Sequence, residues 1–350
     1  MISRKIYFVC PTNPHPSGGV KQIYRMVDIL NKNGFDAAVI HKKADQRETW
    51  FPNNTKVVHN PYLFKLIKYL DKKKLSISKK LKLMYLKKIS FSIETDSILV
   101  FPEIYSSINK IEPFTKKVIF NQNCYYTFNG FPLGSSAEDF PYNKKNTLET
   151  IVVSEDSKNY IQTAFPNTSV HRIRLGINAS IFNFSENKEK IIAFMPRKLS
   201  EDSTQIINIF QSRNNNSDWK IMPIDNKSEN EVAEILKKAA IFLSFNHKEG
   251  FGLPPVEAMS CGCYVIGYRG QAGKEYFNSE FSAPVEDGNI LEFVLKIEEA
   301  TKVYDRNPHE IINKGRIASE FVLANYTISN EEKDIINIWN DIMVRAEKLE

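Results

Sequence analysis

The sequence predicts an α/β protein built from two parallel-sheet domains. Three observations carry this prediction. Short apolar runs alternate with helical periodicity in two separate series. A polar, irregular segment, Val170–Lys190, lies between the two series and reads as the interdomain connection. The 350 residues, 42% hydrophobic and 25% charged, are enough to bury two ordinary cores, which also excludes a disordered chain.

The first series opens with a strand over Lys5–Cys10. Val20, Ile23, Tyr24, Val27 and Leu30 then recur at helical spacing, and Gly34 is placed to stop that helix. Ala37–Ile40, Ser97–Phe101, Lys117–Phe120 and Thr150–Val153 read as further strands of the same sheet. The second series has strands at Ile191–Met195, Trp219–Pro223, Ile241–Phe245 and Cys263–Gly267, with helices between them. One of these helices carries Val232, Ile235, Leu236, Ala239 and Ala240 on one face, and Ser228 with Glu231 has the spacing of a capping box before it. A last amphipathic helix covers Asn330–Lys348 through Ile335, Ile336, Ile338, Trp339, Ile342 and Met343.

The segment richest in chemical information is Glu249 to Gly262. Glu249 and Glu257, eight positions apart, bracket a Gly250-Phe251-Gly252-Leu253 loop that runs into Pro254-Pro255. Proline belongs where a tight loop opens a helix, which would place Glu257 in the first helical turn. Helix N-termini expose unpaired N–H groups and carry partial positive charge, and the glycines let that backbone approach a phosphate or a sugar hydroxyl. The alternative is an ordinary strand-to-helix turn with two solvated glutamates. The flanking apolar strands favour a ligand site, because ligands of open α/β sheets bind where a strand's C-terminal end meets the next helix.

This spacing, E-x7-E followed by Ala-Met-x-Cys-Gly and an apolar strand, resembles the donor-site signature of retaining glycosyltransferases of the GT-B fold, of the family 4 (glycosyl transferases group 1) type. The resemblance covers nearly the whole chain. It implies two Rossmann-like domains facing across a cleft, with a C-terminal helix crossing back to the first. Residues 1–170 with the helix 330–350 would form the acceptor-side domain, and residues 171–329 the nucleotide-sugar donor domain.

The implied activity moves a hexose-type sugar from a nucleotide-diphosphate sugar to a glycan or lipid-linked acceptor, in cell-surface polysaccharide or lipopolysaccharide synthesis, with no cofactor and no metal. By the same resemblance Glu257 binds the donor ribose hydroxyls, since a carboxylate accepts from two neighbouring O–H groups. Glu249 lies beside the donor sugar, and Gly250, Phe251, Gly252 and Leu253 supply loop contacts. Arg197, in Met195-Pro196-Arg197-Lys198, fits the family's phosphate-binding arginine, whose fork of donors matches phosphate geometry. The Pro16-Ser17-Gly18-Gly19-Val20-Lys21 turn corresponds to a loop near the donor diphosphate and the acceptor, with Gly18 and Gly19 as its anion-facing backbone.

The chain departs from the family pattern at three places. The usual lysine five residues after the arginine is absent, with Asp202 and Ser203 standing there, so Lys198 is the candidate substitute. Many relatives have a histidine where this chain has Phe120-Asn121-Gln122-Asn123-Cys124. Gln122 or Asn123 can hydrogen-bond a sugar hydroxyl, but neither can act as a base at neutral pH. A retaining front-face displacement tolerates this, because the donor's own phosphate takes the acceptor proton. Arg174-Leu175-Gly176-Ile177-Asn178 also differs and is read as linker, with no catalytic role. A noncatalytic GT-B subunit that binds a glycan or another transferase is the competing reading. An epimerase would require acidic and histidine groups that the sequence does not supply.

Lys65 to Lys88 holds ten lysines against the single acid Asp71, interleaved with leucines, isoleucine, tyrosine and methionine. Such a segment fits an anionic membrane surface or a solvated helix pair. Nucleic acid is not expected, since no recognition motif accompanies the lysines. The apolar run after Met1 is cut by Pro11, and no stretch is long enough to span a bilayer, so the expected location is cytoplasmic or peripheral on the inner membrane face. Cys10, Cys124, Cys261 and Cys263 form no metal-like cluster, and Cys10 and Cys263 are expected to pack as small apolar residues in strands.

Overall fold

The computed structural model describes residues 4–13, 17–44, 46–70, 75–112 and 115–348. The chain forms two units, one of Met1–Ile173 with Glu332–Glu350 and one of Arg174–Glu331.

The first unit contains β1 (Lys5–Val9), α1 (Gly18–Lys32), β2 (Asp36–His41), β3 (Val57–His59), α2 (Pro61–Leu70), α3 (Ile77–Ile89), β4 (Ile98–Pro102), β5 (Lys116–Asn121), β6 (Thr147–Val152), α4 (Glu155–Ala164) and β7 (Val170–Arg172). Its sheet is ordered β3-β2-β1-β4-β5-β6-β7, and its described pairings are parallel. Strands buried on both faces need near-continuous apolar runs, and β4, Ile-Leu-Val-Phe-Pro, is buried throughout. The predicted α1 stripe of Val20, Ile23, Tyr24, Val27 and Leu30 is buried. Gly34 ends that helix at φ +87°. Its N–H donates to Asn31 O and that of Phe35 to Leu30 O, the paired bonds of a Schellman cap.

The second unit contains β8 (Glu189–Phe194), α5 (Ser200–Arg213), β9 (Lys220–Pro223), α6 (Glu229–Lys238), β10 (Ala239–Asn246), α7 (Leu253–Ser260), β11 (Tyr264–Arg269), β12 (Ser282–Val285), α8 (Ile290–Arg306) and α9 (Pro308–Asn325). Its sheet is ordered β12-β11-β10-β8-β9 and is parallel. The capping box of α6 is formed, with Glu231 accepting the Ser228 N–H at 2.9 Å. The last helix, α10 (Ile328–Lys348), begins two residues earlier than its periodicity indicates. Its residues from Glu332 on belong to the first unit. There Trp339 is fully buried with its ring 5.7 Å from that of Phe8, and Arg345 pairs with the buried Glu149 at 3.1 Å.

Two expectations are corrected here. Val170–Lys190 is not an irregular connection throughout, because it contains β7 and the start of β8. Lys188, within it, is mostly buried and donates to Cys261 O at 2.7 Å and Leu236 O at 3.0 Å, tying this segment to the ends of α6 and α7. Lysine looks solvated in a sequence; this one ends among carbonyls that α6 and α7 leave unpaired at their C-termini. Cys10 and Cys263 are buried as expected, but each lies one residue outside its strand.

Candidate functional site

Both sheets have a switch point, where the strand order reverses and the loops at the C-terminal strand ends diverge to leave a crevice. In the second unit the reversal falls between β8 and β10. The loop after β8 carries Arg197 and Lys198, and the loop after β10 carries Glu249 and Gly250. Lys198 forms an ion pair with Glu249, so two of the three residues expected to carry the chemistry meet at this point. Arg197 is paired more loosely, its Nε 3.6 Å from Asp225 Oδ1 in the loop after β9. Ser203 is buried in α5, which leaves Lys198 as the cation that reaches Glu249.

The glycine loop is packed closely, with Gly250, Phe251 and Gly252 all buried. Gly252 caps α7 at φ +88°, in the left-handed region that favours glycine. A Cβ there would lie 2.2 Å from Asn246 Nδ2 and 2.6 Å from the Tyr276 hydroxyl. These two side chains hold the loop: Asn246 Nδ2 donates to Tyr276 Oη at 3.0 Å, and Tyr276 donates to Phe251 O at 2.8 Å. Phe251 is buried against the Tyr276 and Tyr326 rings. Gly250 is buried and Leu253 half-buried. Because the left-handed Gly252 turns the chain early, α7 starts at Leu253, and Glu257 is its fifth residue rather than a member of its first turn. Glu257 is half-buried on the same short helix.

In the first unit the reversal falls between β1 and β4. Gly18 and Gly19 begin α1 after the loop that follows β1, with Pro16 outside the described residues. Gly19 abuts the Gln122 amide, since a Cβ on it would lie 3.2 Å from Gln122 Oε1. The two acceptor-side candidates differ. Asn123 is buried and its Oδ1 accepts the Tyr125 N–H at 3.1 Å, capping a short turn, whereas Gln122 is half-buried beside Gly19. Beneath them, Glu103 follows β4 and its Oε2 accepts the Gln122 N–H at 3.0 Å. Burial pushes the Glu103 carboxyl up to about 7 against the opposing effect of these backbone N–H groups.

Sequence reasoning missed Asn246, Tyr276 and Glu103. Asn246 and Glu103 were within reach, as polar residues at or just past the C-terminal ends of the strands flanking a reversal. Tyr276 lies 24 positions beyond Gly252 and had no sequence signal.

Of the lysine-rich segment, residues 71–74 lie outside the described residues, and the remainder forms α2 and α3. Every α3 residue is at least partly exposed. Ile77, Leu81, Met84, Tyr85 and Ile89, at helical spacing along one stripe, are 53–78% exposed. Among the described residues no helix is long and apolar enough to cross a membrane.

Comparison with known proteins agrees with this architecture. Residues 200–317 match the family model of glycosyl transferases group 1. An α-1,6-glucosyltransferase of Actinobacillus pleuropneumoniae is 30% identical over 199 residues, a match spanning 55% of this chain and 57% of that relative's length. Sucrose-phosphate synthase from Thermosynechococcus elongatus superposes with a TM-score of 0.69 at 13% identity, over 97% of this chain and 99% of that one. TarM of S. aureus, in complex with fondaparinux, α-GlcNAc-glycerol and UDP, gives a TM-score of 0.66 at 12% identity, over 97% and 99%. Anabaena HepE, in complex with UDP and glucose, gives 0.63 at 12%, over 97% and 100%. At such identities the structural likeness establishes the fold. The chain therefore has the GT-B fold, and residues 200–317 of its second unit are similar to glycosyl transferases group 1.

Proposed function

We propose that this chain is a retaining, metal-independent hexosyltransferase that takes glucose from UDP-glucose and passes it to a glycan or lipid-linked acceptor in cell-surface polysaccharide or lipopolysaccharide synthesis. The observation that carries this reading is the Lys198–Glu249 pair at the second unit's switch point, next to a glycine loop whose shape is enforced by Asn246 and Tyr276. Glucose as the sugar is supported by the name of the Actinobacillus relative, and UDP by the HepE and TarM complexes.

In this reading Glu257 accepts from the two ribose hydroxyls. Arg197 and Lys198 take the diphosphate, Lys198 exchanging its carboxylate partner for phosphate oxygens. Glu249, so released, binds sugar hydroxyls and stabilises the positive charge that develops at the anomeric carbon. The anomeric C–O bond to the diphosphate breaks as the acceptor oxygen attacks on the same face. The acceptor proton passes to the departing phosphate oxygen, so no protein base is needed. Catalysis at this site then rests on orientation and charge. In the first unit, Gln122 offers its amide to a sugar hydroxyl. An anionic membrane surface meeting the α3 stripe would bring the enzyme to a lipid-linked acceptor at the inner face.

The test is a thermal-shift and sugar-release panel over UDP-, GDP-, ADP- and dTDP-sugars without added metal, comparing the native chain with Glu257→Ala. The expected result is stabilisation by UDP-glucose with slow glucose release, both weakened by roughly tenfold or more in the variant, as befits hydrogen bonds to a charged group. No stabilisation by any nucleotide would overturn the reading in favour of a noncatalytic glycan-binding subunit.

A further inference from the structure

The first unit's switch point contains a buried ionisable group with no role in the chemistry described so far. Glu103 directly follows Pro102, the last residue of β4, and is only 9% exposed. Its Oε2 accepts the Gln122 N–H at 3.0 Å. The Asn123 N–H and its own N–H also point to the carboxyl. Gln122 in turn packs its amide against Gly19. One carboxylate thus joins the loops that follow β4 and β5, and through Gln122 it reaches the start of α1.

Among the described residues, the titratable groups beside Glu103 bring no positive charge to it. Cys124, on the turn after β5, is pushed up to about 12 by burial. Tyr142 is fully enclosed and raised further, with its hydroxyl accepting from Asn121 Nδ2 at 2.8 Å. Asp156 of α4 is engaged by the Tyr125 hydroxyl at 2.9 Å. Both Cys124 and Tyr142 are neutral around pH 7, so Glu103 is the group of this cluster that changes charge there, its carboxyl being held up to about 7 by burial.

We propose that Glu103 is the positioning residue of this switch point: its carboxylate fixes the Asn121–Cys124 turn so that the Gln122 amide stands beside Gly19, ready for a sugar hydroxyl. The assignment of a sugar to Gln122 rests on the transferase reading above; the Glu103–Gln122–Gly19 linkage does not. The arrangement supplies what the missing histidine withholds. A titratable group is present at this position, but it acts through the backbone of the residue that touches substrate. The carboxylate accepts the Gln122 and Asn123 N–H groups of the turn as well as its own, and protonation exchanges part of that capacity for a donor. The turn is therefore held above the Glu103 midpoint and released below it.

The experiment has two arms, run on the full chain, Glu103→Gln, Glu103→Ala and Glu257→Ala. In the first, the backbone amide resonances of Gln122 and Gly19 are followed by NMR across the neutral range. In the native chain both are expected to move with a shared midpoint of about 7. Glu103→Gln should abolish the titration and Glu257→Ala should leave it intact. A Gln122 amide that does not titrate, or still titrates in Glu103→Gln, overturns the linkage.

In the second arm, glucose release from UDP-glucose is measured against pH. Glu103→Ala is expected to lower kcat by about tenfold, the loss from one misplaced hydrogen bond, with KM for UDP-glucose unchanged. Glu103→Gln, which keeps one acceptor, should recover most of kcat and lose the inflection near neutrality. A loss carried by KM, or an unchanged kcat, overturns the positioning role. Absence of turnover in the native chain counts against the transferase reading, while the amide titration still decides the linkage.

Discussion

At the second unit's switch point the glycine loop is fixed by neutral groups, the Asn246 amide and the Tyr276 hydroxyl, and by a glycine with no room for a side chain. At the first unit's switch point the equivalent work falls to a buried carboxylate. The two sheets present the same kind of crevice, but the contacts that fix the loop are neutral in one and include an ionisable carboxyl in the other. Burial pushes the Tyr276 hydroxyl well above its ordinary range, so it stays a donor throughout. The same cause acting on Glu103 brings a carboxyl into the neutral range. What burial does to function thus depends on which side of neutrality the group starts from.

The largest expected effect tests that contrast through stability. Glu103 has a midpoint of about 7 in the folded chain against an ordinary 4.5. The folded state therefore binds more protons between those values, and stability falls as pH rises through that window. The full difference is about 3 kcal/mol. Glu103→Gln cannot ionise, so its stability relative to the native chain should grow from pH 4.5 to 7 and level off above. Denaturant unfolding at a series of pH values measures it. A constant offset between the two proteins across the series would remove the contrast.

Gly252→Ala comes next. The alanine meets both a left-handed backbone and the Asn246 and Tyr276 side chains, so the loop must shift. A displacement of about 1 Å at a reacting centre lowers turnover by about 100-fold. Glucose release from UDP-glucose and stabilisation by UDP should both be lost, with far-ultraviolet circular dichroism unchanged. Tyr276→Phe removes one hydrogen bond to Phe251 O and leaves the ring packing, so about a tenfold loss is expected. That loss should be the same at pH 6 and pH 9. A pH-dependent loss would mean that the second unit's loop also rests on an ionisable group.

The same contrast explains what could be read in advance. The second unit's site was legible because a glycine loop, two glutamates and a Pro-Pro helix start are adjacent in sequence, and parallel strands announce themselves as apolar runs. Lys198 and Glu249, 51 positions apart, were singled out separately, but their ion pair needed the β8–β10 reversal to appear. The first unit's site was barely legible: Gly19 opens α1, Glu103 and Gln122 come from two loops, and they are brought together only because β4 inserts beside β1. Short edge strands such as β3 and β7 escaped notice for a related reason. Three residues carry too little periodicity to stand out, and pairing with a neighbour defines them.

The smallest expected effect concerns a surface found in the first unit. The exposed large apolar residues of the second, Leu291, Leu295, Ile317 and Ile328, are spread over three helices. Those of α3 align as one stripe of Ile77, Leu81, Met84, Tyr85 and Ile89, with Lys88 on the stripe and Lys79, Lys80, Lys82 and Lys87 beside it. Apolar side chains inserting while lysines meet phosphate headgroups is the arrangement an interfacial helix requires. Replacing Leu81 with Ser should weaken binding to phosphatidylglycerol-containing vesicles by about fivefold, the equivalent of roughly 1 kcal/mol of partial side-chain burial. Lys80→Ala should weaken it by a similar factor at low salt and less at high salt, because screening removes the lysine's share and leaves the apolar one. The unit 2 control, Leu291→Ser, should leave sedimentation with vesicles unchanged. Equal losses from Leu81→Ser and Leu291→Ser would show that binding follows general hydrophobicity, and the α3 stripe would then have no special claim on the membrane.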